Sequence, residues 1–222
     1  MRPARAILFD AGGTLIHVDG ERVCRAAGVP YDADAFRAAE SSGIGAVRAA
    51  LERQPLSTDA ERLPIFLGAI LASLGVPAAD QAAAGTRIRA EHERVNLWSA
   101  PSRGAAEVLD ALAGRGYRLG VISNADGRVR ALLEAAGVAS RLEMVLDSAE
   151  VGLEKPDPRI FHEGARRLGT PPEACAYVGD IYEIDVAGAQ AAGLQAVLVG
   201  DCPAPGSVTR VRELSDLLAL FP

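Results

Sequence analysis

Short apolar runs recur along this chain, each closing on a polar residue or a glycine. They are "ARAILFD" (4–10), "YRLGVIS" (117–123), "LEMVLDS" (142–148), "CAYVGD" (175–180) and "QAVLVGD" (195–201). Runs of this length without polar alternation are how strands buried on both faces of a parallel sheet read. Helical stretches alternate with the last four. "SRGAAEVLDALAGRG" offers Ser102 as an N-cap, an apolar face of Val108, Leu109 and Leu112, and Gly114 or Gly116 as a stop. "DGRVRALLEAAG" closes on Gly137. "DPRIFHEGARRLG" places Asp157 as N-cap, Pro158 at the first helical position and Gly169 at the end. "VAGAQAAG" ends at Gly193. Strand–helix alternation with short loops predicts an α/β fold, a doubly wound, Rossmann-like parallel sheet.

Residues 17–98 break the alternation and show no convincing strand. "DADAFRAAESSGIGAVRAALERQ" reads as a helix with a weak Ser-Ser-Gly centre. "STDAERLPIFLGAILASLG" carries a possible capping box, Thr58 with Glu61, and a Pro64 that would delay or kink the helix. "PAADQAAAGTRIRAEHERVN" reads as a further helix. The first two strands belong to one sheet, so this insert must leave the sheet and return to it. The expected organisation is a core domain of residues 1–16 and 99–222 and a smaller, all-helical cap domain of residues 17–98 above the carboxyl edge of the sheet.

Composition narrows the function classes. Half of the 222 residues are hydrophobic (49%) and 23% are charged, as in a globular chain long enough to bury a core. Lys and Arg total 23 against 29 Asp and Glu, a net charge of −6, which argues against general nucleic-acid binding. Cys24, Cys175 and Cys202 have no pair spacing, so neither a disulfide framework nor a zinc site is expected. With no signal-peptide pattern and no apolar run of membrane-spanning length, the expected setting is the cytoplasm, as a monomer or homodimer with no membrane partner.

In an open α/β sheet, ligands bind beyond the carboxyl ends of the strands. At those ends stand Asp10, Ser123 with Asn124, and Gly179-Asp180 with Asp185, while Lys155 lies in the loop after the third run. Taken singly these signals are weak. Asp10 would serve as a turn cap, Ser123-Asn124 as a strand-to-turn dipeptide, Lys155 as a solvated lysine and Asp185 as a helix N-cap. Together, "FDAGGTL", "VISN", "GLEKPDPRIF" and "VGDIYEIDVAGAQAAG" resemble the four ordered motifs of the haloacid dehalogenase (HAD) superfamily of hydrolases, over about residues 4–200.

The resemblance implies hydrolysis of a small phosphorylated substrate. Asp10 would attack phosphorus to give an aspartyl-phosphate. Mg²⁺ would be held by Asp10, the Gly12 carbonyl and Asp180, with Asp185 ligating through water or holding neighbouring groups. Ser123 and Asn124 would bind phosphoryl oxygens, Lys155 would oppose the charge of the transition state, and Thr14 would either bond near the nucleophile or satisfy the turn.

Gly12 departs from the pattern. Phosphatases of the superfamily typically carry a second aspartate there, which protonates the leaving group and then activates water. Without it, alkyl phosphates should turn over slowly, and aryl and acyl phosphates should suffer less. The same gap leaves two alternatives: a 2-haloacid dehalogenase, and a catalytically weak or inactive phosphate- and metal-binding regulatory protein. His17 is expected at the entrance to the insert, His92 and His162 in solvent, and Trp98 in packing where the insert returns. Arg87, Arg89 and Arg94 read as a helix face, with one of them, or Arg22, as an alternative contact for a substrate anion.

Overall fold

A computed structural model describes residues 3–55 and 57–222. The strands are β1 (Ala6–Phe9), β2 (Ile16–Val18), β3 (Trp98–Pro101), β4 (Arg118–Ser123), β5 (Met144–Asp147), β6 (Cys175–Gly179), β7 (Gln195–Val199) and β8 (Arg210–Val211). Six of them form one sheet in the order β5-β4-β1-β6-β7-β8, with every neighbouring pair parallel. Every residue of β1 and β6 is buried, as the unbroken apolar runs require. The chain winds from β1 through β4 to β5 on one side, then crosses to β6 and winds outward through β7 on the other. The β1/β6 boundary is therefore the switch point at which the loops after adjacent strands diverge.

The chain divides into two compact units, Met1–His17 with Ala100–Pro222, and Val18–Ser99. In the first, the Pro158–Arg167 helix starts as its sequence predicts, with Asp157 accepting from the Arg159 amide and Pro158 in the first turn. One expected cap is different. Gly104, at φ 73°, is the N-cap of the Ala105–Gly114 helix, and the Ser102 hydroxyl donates to the Thr14 carbonyl at 2.6 Å. A long-range carbonyl has taken the side chain that local sequence would assign to the helix. His162 is exposed, as expected, with its Nε2 3.0 Å from the Ala192 carbonyl.

The second unit contains the helices Gly20–Ala27, Ala33–Arg53, Asp59–Ser73 and Ala78–Val95. The capping box forms as predicted, Thr58 and Glu61 bonding reciprocally. Pro64 lies within the Asp59–Ser73 helix and does not interrupt it. The Ser-Ser-Gly centre is continuous helix as well. The Ser41 and Ser42 hydroxyls donate to the Arg37 and Ala38 carbonyls at 3.0 Å each, and Gly43 packs so closely on Phe66 that a Cβ would lie 2.7 Å from its ring. His92 is not a solvated residue. Its Nδ1 accepts from the Leu97 amide at 3.3 Å, and its ring meets the edge of Trp98, which stacks on Phe66 at 5.9 Å. Strands β2 and β3, where the chain leaves and re-enters the first unit, pair with each other. At three and four residues they are too short for a period-two pattern to announce them.

Candidate active site

At the end of β1 the chain must stop pairing and turn. The Asp10 amide still bonds the Val178 carbonyl of β6 at 2.8 Å, after which the backbone closes on itself. Gly13 N donates to Ile16 O (2.8 Å), Leu15 N to Ala11 O (2.8 Å) and Ile16 N to Ala11 O (2.9 Å). None of these bonds uses the Gly12 carbonyl. Gly13 has φ 75°, and a Cβ there would stand 2.2 Å from Asp180 Oδ2. Only glycine allows this turn to meet the Asp180 carboxylate. The Thr14 hydroxyl is buried without a hydrogen-bond partner among the described residues, so the turn is satisfied by backbone and does not need it.

Lys155 is the centre of the site. Its side chain is 1% exposed, and Nζ lies 2.8 Å from Asp10 Oδ1, 2.7 Å from Asp185 Oδ1 and 2.9 Å from the Tyr177 hydroxyl. The lysine that looks like a surface residue in sequence is thus a buried cation with its three donors matched by three oxygens. Burial alone would lower its pKa, but the Asp10 and Asp185 carboxylates outweigh that and raise it, so it stays charged. Burial pushes the Asp10 carboxyl up to about 7, against the pull of Lys155. Asp10 Oδ1 also accepts from the Ala11 amide at 2.7 Å. Both bonds fall on Oδ1, so Oδ2 has no donor among the described residues.

A wide π-helical turn, Tyr182–Val186, precedes the Ala187–Ala191 helix and carries Asp185. Its extra residue folds the carboxylate back, so that Oδ2 accepts from the Ile181 amide (2.9 Å) while Oδ1 receives Lys155. Asp185 is fully engaged within the protein, which makes it the holder of Lys155 in place of the helix cap its position also suggested. Asp180 is the reverse. Its Oδ1 is enclosed with no partner among the described residues, and burial, then the Asp185 and Asp10 charges, raise its pKa well above the carboxylate range.

Among the described residues, Asp10, Asp180 and Asp185 each present an oxygen within 4.8 Å of the others. An unpartnered buried carboxylate oxygen facing a second carboxylate is an arrangement that a hard divalent cation relieves, and oxygen-only donors suit magnesium. The donor set therefore fits Mg²⁺, with Asp10 and Asp180 as the carboxylates free to hold it.

Ser123 ends β4 and is buried. Asn124 follows it, but its amide faces the Lys155 backbone, with Oδ1 accepting from Lys155 N (2.8 Å) and Nδ2 donating to Lys155 O (3.0 Å). The residue assigned from sequence to substrate thus clamps the loop that delivers Lys155. The arginines of the helical unit take their blander readings. Arg22 pairs with Asp19 (2.8 Å) and Glu91 (3.5 Å), Arg94 pairs with Glu91 (2.8 Å), and Arg87 donates to the Ala26 and Ala27 carbonyls that end the first helix. The sequence reading overlooked Tyr177. A lone phenol in a fully buried strand must find a polar partner, which is the signal that would have found it.

With this geometry in hand, the likeness to known proteins is informative. A family model described as haloacid dehalogenase-like hydrolase matches residues 4–193. The haloacid dehalogenase-like hydrolase domain-containing protein 3 of Mus musculus is 38% identical over 124 residues, 54% of this chain. That match spans about half (49%) of the mouse protein's own length. A phosphatase of Mycobacterium tuberculosis is 31% identical over 226 residues, covering 97% of this chain and 96% of the relative. The magnesium-bound HAD-hydrolase YfnB of Bacillus subtilis superposes with a TM-score of 0.70 at 20% identity, over 99% of each chain. Solved dehalogenases share the fold as well.

Proposed function

This chain belongs to the haloacid dehalogenase-like hydrolases, and we propose that it hydrolyses a small phosphorylated metabolite through an aspartyl-phosphate on Asp10, with Mg²⁺ as cofactor and residues Val18–Ser99 as its cap domain. The observation that carries this reading is the pairing of two unlike carboxylates. Asp10 is aimed by Lys155 and the Ala11 amide, with Oδ2 open, while Asp180 Oδ1 is enclosed and unpartnered. A hard cation between the two carboxylates, as bringing an aspartate to a phosphate requires, would compensate that oxygen, whereas a metal-free dehalogenation site would leave it uncompensated.

In this reading Asp10 Oδ2 attacks phosphorus and the leaving oxygen departs with the bonding electron pair. Lys155 fixes the nucleophile through Oδ1 and sets a positive charge beside the incoming anion. Ser123, at the end of the neighbouring strand, supplies a hydroxyl to a phosphoryl oxygen. Magnesium, when bound, would neutralise the carboxylate–phosphate repulsion. Water then releases phosphate and restores the carboxylate. Gly12 has no side chain to protonate a leaving alkoxide, a contribution typically of about 10²–10⁴ in rate, so the favoured substrates are aryl and acyl phosphates, whose leaving groups depart unprotonated. The support from relatives is the phosphatase of M. tuberculosis, matched over nearly its full length.

The test is a panel of alkyl, aryl and acyl phosphates and 2-haloacids, assayed with Mg²⁺ and with EDTA. Phosphate release that needs Mg²⁺ and is lost in Asp10→Asn is expected. Halide release indifferent to EDTA would replace the reading with dehalogenation. Absence of any turnover, with Mg²⁺ still raising the melting temperature, would replace it with a binding protein.

A further inference from the structure

Tyr177 lies at the middle of β6, wholly buried, with its ring edge-on to Phe161 at 4.9 Å. In sheet order β6 and β4 stand on opposite sides of β1, so the Tyr177 side chain reaches past β1 to the carboxyl end of β4. Its hydroxyl donates to the Ile122 carbonyl at 2.9 Å, one residue before Ser123. With its proton placed there, the oxygen must face Lys155 as an acceptor, and Nζ donates to it at 2.9 Å. The assignment is complete on both sides. The hydroxyl has one proton, placed on the nearer acceptor, Ile122 O at 2.9 Å against Asp185 Oδ1 at 3.5 Å, and the ammonium has three protons and three oxygens, Asp10, Asp185 and Tyr177. Two of those oxygens hold the ammonium 2.8 Å from Asp10 Oδ1.

We propose that Tyr177 is a positioning residue for the reaction, which orients the Lys155 ammonium toward Asp10 and ties it to the strand end that carries Ser123. A phenylalanine keeps the ring packing on Phe161 and removes only the hydroxyl. Lys155 then has two acceptors for three donors in a dry site, and the Ile122 carbonyl loses its donor. The ammonium can settle between Asp10 and Asp185 in more than one way, and small misplacements at a reacting centre are amplified in rate.

The kinetic part rests on the phosphatase reading; the stability part does not. Tyr177→Phe in the full chain, assayed with p-nitrophenyl phosphate and saturating Mg²⁺, should lower kcat by about 10-fold or more with KM within about twofold. The Mg²⁺ concentration for half-maximal rate should stay in place. In parallel, the melting temperatures of wild type, Tyr177→Phe, Lys155→Met and the double variant form a cycle. If the hydroxyl acts through Lys155, the loss caused by Tyr177→Phe is at least halved once Lys155 is gone. A purely structural hydroxyl gives equal losses in both backgrounds, and that result overturns the proposal, as does an unchanged kcat. If wild type releases no phosphate from any ester, the phosphatase reading has failed and the cycle alone decides the role of Tyr177. If Lys155→Met does not fold, the split between kcat and KM decides it.

Discussion

Replacing Lys155 with methionine removes one charge and leaves two facing each other. The magnitude follows from the geometry. At 2.8 and 2.7 Å, and with an effective dielectric constant of about 20, each contact is a gross attraction of about 6 kcal/mol. Desolvating three charged groups offsets most of that, so the pair adds little net stability over an apolar filling. Removing only the cation is different, because the carboxylates stay buried without compensation, and the expected loss is about 3–5 kcal/mol. For a chain of this size that is a fall in melting temperature of roughly 6–20 °C. The loss should also depend on pH. Near pH 5 Asp10, with its carboxyl pushed up to about 7, is protonated with or without Lys155 and needs no cation. At pH 8 it is ionised in the wild type and depends on Lys155. The deficit of Lys155→Met, measured by urea unfolding without Mg²⁺, should therefore be larger at pH 8 than at pH 5. A deficit below about 1 kcal/mol at pH 8, the range of a surface ion pair, or one equal at both pH values, would refute this view of the site.

Asp180→Asn removes the unpartnered carboxylate, so it should raise the melting temperature of the metal-free protein and abolish the rise caused by Mg²⁺, both read by calorimetry. Asp10 in the fold titrates near 7, above the unfolded value of about 3.9, so the native state holds the extra proton and stability falls as pH rises between them. Asp10→Asn should therefore gain stability relative to wild type from pH 4 to pH 8, by up to about 4 kcal/mol without metal. Gly13→Ala forces a Cβ to 2.2 Å from Asp180 and a side chain into φ 75°. It should cost at least about 1–2 kcal/mol from backbone strain alone and weaken Mg²⁺ binding in a titration calorimeter. Gly12→Asp should raise the rate on alkyl phosphates more than on aryl phosphates; an equal rise would show that leaving-group protonation is not the missing step.

The buried strands were legible because a parallel sheet demands unbroken apolar runs, and the site residues because each stands where such a run ends. What escaped reading depends on contacts distant in sequence. Ser102 is a plausible helix cap until the Thr14 carbonyl claims its hydroxyl. Asn124 resembles a phosphate ligand until the loop after β5 returns to it. Asp185 reads as a cap, as a ligand through water or as a holder of neighbouring groups, and the π turn, which local sequence does not announce, leaves it bonded to Lys155 and Ile181. Tyr177 lay inside a strand that already had an explanation in packing, so its hydroxyl drew no attention. The gap at Gly12, by contrast, is wholly a sequence fact, since an absent side chain needs no coordinates.

The central claim is that Asp10 itself receives the phosphoryl group. The direct measurement is mass spectrometry of the peptide carrying Asp10 after mixing the protein with an acyl phosphate and Mg²⁺ and quenching in acid. The account predicts one phosphoryl group on Asp10, formed only with Mg²⁺, absent in Asp10→Asn and outlasting the first turnover because Gly12 offers no base to activate water. Phosphate released at the same rate while Asp10 stays unmodified from the earliest quench onward would contradict it.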